Sequence, residues 1–392
     1  MQKLFPRLVM LVQVLLLTAC SVVGQQPAAA PTAQSPDPSL LATLVASAMP
    51  SPTSLPTPTF LVPDTGAQVQ ADLNPLTGLP APDPALLDRR PVMVKVSNFP
   101  AVGRPHAGLS SADMVFEYYI GEYINRFLAV YYSQDAPKVG PVRSGRLVDV
   151  QLVRMFQGVL AYGSADERVD ASIKQYLGIR SLAHTESPCP PICGFDPHSA
   201  AGTFADTGSL SAYMTKIGVD NVRQDLTGLV FDPAPPANGQ PAVQLGVQYS
   251  SFNRGEWRYD PASGQYLRWI EEMDEDNKNM TMIPLVDRLT DEQLGFSNVI
   301  VIFAFYVEYN RTLHNIDIWN NTAGKRAVFF RDGVMTEGLW KTVDKERPMQ
   351  FFDQDGQPYA LKPGNTWIVI AGLSSTFDQP QPGQFETYFY LP

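Results

Sequence analysis

Only three of the 392 residues are cysteine and only four are histidine, so thiol and metal chemistry has little to work with. The chain holds no Gly-x-Ser-x-Gly, no phosphate loop, no His-Glu-x-x-His and no Gly-x-Gly-x-x-Gly. Those absences disfavour the common serine hydrolases, P-loop NTPases, zinc proteases and dinucleotide enzymes. Positive charge is scarce as well. Lys and Arg number 29 against 39 Asp and Glu, for a net charge of −10. An acidic balance argues against nucleic acid as a partner and against polybasic docking on anionic lipid. No segment supplies the about 20 apolar residues that a membrane-crossing helix needs. Val299 to Val307 covers nine residues and reads as a buried strand.

What the N-terminus does hold is informative. Lys3 and Arg7 precede an apolar segment, Leu8 to Leu17, interrupted only by Gln13. Leu17-Thr18-Ala19-Cys20 closes it and resembles the lipobox of bacterial lipoprotein precursors. Residues 1–19 are therefore expected to be a signal peptide, with Cys20 lipidated as the first residue of an extracytoplasmic, membrane-anchored chain. Each buried acyl CH₂ contributes about 0.8 kcal/mol, and a diacylglyceryl group brings two chains where one anchors only marginally. Residues 20–72 then read as a tether. Nine prolines between Pro27 and Pro63 mix with Ala, Ser, Thr and Gln. That composition buries too little apolar surface to offset ordering.

The remainder, 44% hydrophobic over the whole chain, is long enough for two domains. The expected fold class is α+β. Residues 73–232 should form a mixed sheet with packed helices, and 242–392 a largely antiparallel β domain. Strands are expected at 91–97, 113–120 and 126–133, the last two joined as a hairpin. Helical spacing follows Pro141, with Val148, Leu152, Met155, Phe156 and Val159 on one face. A second helix is expected from a capping box at Ser164 to Glu167, and a third near Ser209 to Ile217. Asp-Gly steps at 332–333 and 355–356 mark turns between later strands. A further helix is expected around 286–294.

Three stretches resemble a known family: Asn74 to Leu79, Arg104 to Asp113, and above all Lys138-Val139-Gly140-Pro141-Val142-Arg143-Ser144-Gly145-Arg146. They look like the YerB-like bacterial lipoproteins, a two-part domain family of unknown function. Phe330 to Lys341 and Pro363 to Trp367 are similar to its C-terminal part. Residues 161–200, with the Cys-Pro-Pro-Ile-Cys run, depart from its usual pattern. The resemblance implies an α+β fold and an exported lipoprotein, without an established activity.

Candidate chemistry centres on residues 140–146, where a loop becomes a helix. Free N–H groups, the helix dipole and the cations Arg143 and Arg146, with Ser144, suit a carboxylate or phosphate. The alternative is structural pairing of those arginines with Glu117, Asp113 or Asp149. Arg104 and Arg126 complete the expected ligand-binding set, in a cleft that also holds Glu117. Three functions follow. The leading one is a non-catalytic envelope protein binding an anionic ligand such as a cell-wall fragment. The second is an envelope enzyme with Glu117 as base and His198 as acid. The third is a protein-interaction scaffold. Glu117 is equally readable as half of a buried ion pair with Arg126 or Arg143. Cys189 and Cys193, outside the cytosol, most simply form a local disulfide. A zinc site joining them to His184 and His198 has looser spacing, so no metal or cofactor is expected.

Overall fold

The computed structural model describes residues 72–194, 202–274, 276 and 278–391. Cys20, the tether and His198 lie outside the described residues. The described part belongs to one compact unit, 67–392. None of its helices is long and apolar enough to cross a membrane.

Strands of three or more residues are β1 (Val92–Ser97), β2 (Met114–Gly121), β3 (Ile124–Tyr131), β4 (Val159–Tyr162), β5 (Ser181–Ala183), β6 (Gln244–Ser250), β7 (Asn253–Asp260), β8 (Gln265–Met273), β9 (Met280–Pro284), β10 (Asn298–Asn310), β11 (Leu313–Asp317), β12 (Lys325–Arg331), β13 (Val334–Lys341), β14 (Gln350–Asp353), β15 (Thr366–Gly372), β16 (Thr376–Gln381) and β17 (Gln384–Tyr388). The helices are α1 (Leu147–Met155), α2 (Glu167–Leu177) and α3 (Thr207–Lys216).

A 12-stranded sheet runs β14-β13-β12-β10-β15-β2-β3-β1-β4-β5, with β11 beside β10 and the two-residue strand Gln240–Pro241 beside β13. A seven-stranded sheet runs β9-β8-β7-β6-β17-β16, with the two-residue strand Gly295–Phe296 beside β8. The two expected portions meet in the larger sheet, where β2 lies parallel to β15 with Phe116 opposite Ile368. Both strands are buried on both faces, as a central position demands. The C-terminal portion is largely antiparallel, with parallel pairings at β10·β15 and β6·β17.

Period two divides the core. Val94, Val115, Phe127 and Trp367 face one cluster, which the seven-stranded sheet and α3 complete with Leu245, Trp257, Ile270, Leu210 and Met214. Met93, Phe116, Tyr118 and Leu128 face the other, filled by Val148, Leu152, Val169 and Ile173 of α1 and α2. Helices, large sheet and small sheet therefore form three layers.

Several local expectations hold. β1 and the β2–β3 hairpin are where the alternation placed them, and Val169, Ile173 and Leu177 are the buried residues of α2. Others need correction. The apolar run after Pro141 continues past its helix: α1 ends at Met155, and Val159 begins β4 because Gly158 and the positive φ of Gln157 (49°) turn the chain. The cap of α2 is Asp166, which accepts from Arg168 N, and Ser164 reaches Ser144 instead. Residues 286–294 form a turn closed by a Val286–Gln293 bridge, with no helix. The reason is Asp287, whose carboxylate accepts from Gly108 N and Ser110 N and ties that turn to the loop before β2.

Candidate anion-binding site

Gly140 to Arg146 runs along the carboxyl end of β1 and inserts between β1 and β4. Arg143 N donates to Lys95 O at 2.9 Å, and Gly163 N donates to Arg143 O at 2.8 Å. Gly145 N donates to Ser164 O at 2.8 Å. Two glycines permit this fit. A Cβ on Gly145 would sit 2.7 Å from Ile173 Cδ1, and one on Gly163 would sit 3.2 Å from the Arg143 backbone. β1, β4 and β5 are parallel neighbours, so the loop lies at the carboxyl ends of parallel strands, the end at which open α/β sheets bind ligands.

Three half-buried guanidiniums meet there. Arg126 Nη1 donates to Ser144 O at 3.1 Å, and Arg146 Nη1 donates to Gly145 O at 2.8 Å. The Nε atoms of Arg126, Arg143 and Arg146 are enclosed yet have no hydrogen-bond partner. Among the described residues none of the three forms an ion pair. Burial, then the charges of Arg146 and Arg143, hold Arg126 well below its ordinary pKa. Burial likewise lowers Arg143 and Arg146, the latter against opposing pulls from Asp149, Tyr118 and Asp166. Like charges crowded this way, with no carboxylate in an ion pair with them, favour an incoming anion.

The carboxylates expected to neutralise them are engaged elsewhere. Asp113 accepts from Asn74, Ser133 and the backbone of Tyr132. Asp149, the third residue of α1, takes Arg146 N on Oδ2 at 2.6 Å. Its Oδ1 binds Lys95 Nζ at 3.1 Å and the Tyr118 hydroxyl. Lys95 is fully buried, and desolvation lowers its pKa to about 7, with Asp149 opposing and Arg146 and Arg126 reinforcing the fall.

Glu117 lies across the sheet from this loop. Its Oε2 accepts from Arg268 Nη2 at 3.2 Å and from Trp367 Nε1 at 2.9 Å, and its Oε1 from Asn125 Nδ2. The ion pair foreseen for Glu117 exists, but its cation is Arg268 of β8 rather than Arg126 or Arg143, because position 117 shares the face of Phe127 and not that of Arg126. A Cβ on Gly255 would fall 2.1 Å from Arg268 Nη1, so that glycine makes room for the guanidinium. Arg104 is also outside the loop. Asn98 joins it to the same network, donating from Nδ2 to Asn125 Oδ1 at 2.6 Å and accepting from Arg104 Nε at 3.2 Å. The structure thus brings Arg126, Arg143, Ser144 and Arg146 together and sets Glu117 and Arg104 apart.

Lys95 and Arg268 are the members that sequence reasoning missed. Each had a signal: a lone cation in phase with inward residues, Met93 and Ser97 for Lys95, Tyr266 and Ile270 for Arg268. Cys189 and Cys193 form the expected disulfide. No group of three or more His, Cys, Asp or Glu among the described residues is placed to hold a metal ion.

Residues 76–200 match the family model described as Protein of unknown function (DUF3048) N-terminal domain, and residues 245–368 match the corresponding C-terminal domain. A Bacillus subtilis (strain 168) protein named "Putative lipoprotein YerB" is 27% identical over 325 residues, 79% of this chain and 88% of that protein. The crystal structure of YerB protein from Bacillus subtilis matches with a TM-score of 0.63 at 26% identity, covering 76% of this chain and 96% of that one.

Proposed function

The chain belongs to the YerB-like family of bacterial lipoproteins, built from the two DUF3048 domains, and on that premise we propose that it is an envelope-anchored receptor for an anionic ligand. Acylated Cys20 holds it to membrane lipid on the extracytoplasmic side, and the tether through residue 72 carries the folded unit outward. The ligand is a carboxylate- or phosphate-bearing molecule, of which a cell-wall fragment is the natural source at that location. One observation carries this reading: Arg126, Arg143 and Arg146 gather at the strand ends, each with a buried Nε that has no hydrogen-bond partner and none in an ion pair among the described residues, in a chain of net charge −10. Unneutralised cations at the carboxyl ends of parallel strands, beside the first turn of α1, are the elements of an anion site.

Catalysis fits less well. Glu117 is fully buried, and Asn125, Arg268 and Trp367 all donate to its oxygens, so it is shut off from a substrate.

The test is thermal unfolding of residues 67–392 in phosphate or citrate against chloride at equal ionic strength. An anion bound only by the folded state stabilises it by about 2.7 kcal/mol at a hundred times its Kd. The triple variant Arg126→Gln, Arg143→Gln, Arg146→Gln should lose that shift. An identical shift in the variant would refute the reading. Separately, Cys20→Ser should move the full chain from the membrane to the soluble fraction.

A further inference from the structure

A groove of about 860 Å³ opens between the loop after β1 and the β8–β9 hairpin. That volume is in the range of small-molecule sites, about 300–1,000 Å³. Phe99, Arg104, Phe252, Ile270, Glu271 and Ile283 line it. It uses none of the arginines of the 143–146 loop.

Its polar chemistry is one-sided. Each nitrogen of the Arg104 guanidinium is engaged: Nε on Asn98 O at 3.1 Å, Nη1 on Glu271 O at 2.9 Å, and Nη2 on Glu271 Oε1 at 2.6 Å. The guanidinium also stacks on Phe99, 4.7 Å from the ring centroid. Three of its five N–H groups are thus used, and its charge is met by Glu271. Glu271 is only half used. Its Oε2 has no partner, although its side chain is 2% exposed. At the rim, Lys278 pairs with Asp276 at 3.1 Å, while exposed Glu272 forms no ion pair among the described residues. Once these pairs cancel, the surplus charge among the described residues is the carboxylate of Glu272, and the buried polar atom left without a partner is an acceptor, Glu271 Oε2.

We propose that this groove is a second ligand site, for a small amphipathic amine whose ammonium meets Glu271 and whose apolar body lies among Phe99, Phe252 and Ile283. A buried acceptor lacking a donor is the feature that a bound N–H removes. Burial raises the carboxyl pKa of Glu271 against the pull of Arg104, so an ammonium beside it also keeps it ionised. The ligand's apolar part supplies area, and its charge supplies selectivity.

Phenethylamine, 2-phenylethanol and 3-phenylpropionate share a ring and differ in charge, so titrating residues 67–392 with each separates the contributions. The amine should bind saturably, about tenfold or more tighter than the anion, with the alcohol between them. Glu271→Gln puts an amide N–H where the ammonium would sit, and should weaken the amine by about tenfold while sparing the alcohol. Phe252→Ala, at an exposed rim position, should weaken both amine and alcohol with the fold intact, and it serves if the Glu271 variant does not fold. Equal affinity for amine and anion, no saturable amine binding at millimolar concentration, or an affinity indifferent to Phe252→Ala would overturn the proposal.

Discussion

Lys95 and Asp149 form an ion pair, Nζ to Oδ1 at 3.1 Å, from which water is wholly excluded on both sides. Lys95 stands in a row of apolar strand residues and Asp149 in the first turn of α1, so the pair fastens the helix layer to the sheet under the arginine loop. The folded-state pKa of Lys95 is lowered to about 7 from 10.5. Between those values the unfolded chain binds the extra proton, so stability rises with pH. The penalty is fullest below about pH 7 and is relieved toward pH 10.5. Urea unfolding from pH 6.5 to 9.5 should show this rise, at most about 1.4 kcal/mol per pH unit from one group. In Lys95→Met the slope should flatten. An unchanged slope would assign the effect to other groups.

The Glu117–Arg268 pair links the large sheet to the small one, with Trp257 and Trp367 packed on the guanidinium at 4.1 and 5.1 Å. Removing one partner leaves the other charged and unpaired in the core. Arg268→Met should therefore cost about 3–5 kcal/mol. Adding Glu117→Gln should cost less than the sum of the two single changes, with a coupling of about 1–3 kcal/mol in a double-mutant cycle. Additive losses would mean that the two side chains act separately. Phosphate binding at the arginine loop should survive in Glu117→Gln, because the sheet lies between them.

The β2–β3 turn places Glu122 at φ 51° and Tyr123 at φ 65°, conformations that favour Gly and Asn. Tyr123 is 64% exposed and its ring contributes little packing. Tyr123→Gly should raise stability by about 0.5–1 kcal/mol. A lower midpoint in urea would show that contacts of the Tyr123 ring outweigh the backbone strain.

Much of the architecture was legible because it follows from short-range pattern. Alternation gave β1, β2 and β3. The apolar run at Val299 to Phe305 marked a central strand, and the Asp332-Gly333 step marked the β12–β13 hairpin. The family was readable from residues 138–146. What stayed hidden depends on contacts between residues far apart in the chain. Nothing near Glu117 announces Arg268, 151 positions away, and nothing near Val115 announces Trp367. The helix expected at 286–294 failed for the same reason, since Asp287 bonds to a loop 177 and more residues earlier. Within the site, the Gly-Pro-Val-Arg-Ser run located the loop. The face on which Arg126 lies, opposite Glu117, required the β2–β3 register, Tyr118 opposite Arg126.

The β2·β15 pairing bears on how the protein reaches maturity. Thr366 to Gly372 are made long after β2, with Trp367 following Glu117 by 250 positions. Until they emerge, β2 waits as an unpaired apolar edge, an invitation to aggregation. Expression of the first half alone should therefore yield a sticky fragment that depends on holdase chaperones, because its partner strand never arrives.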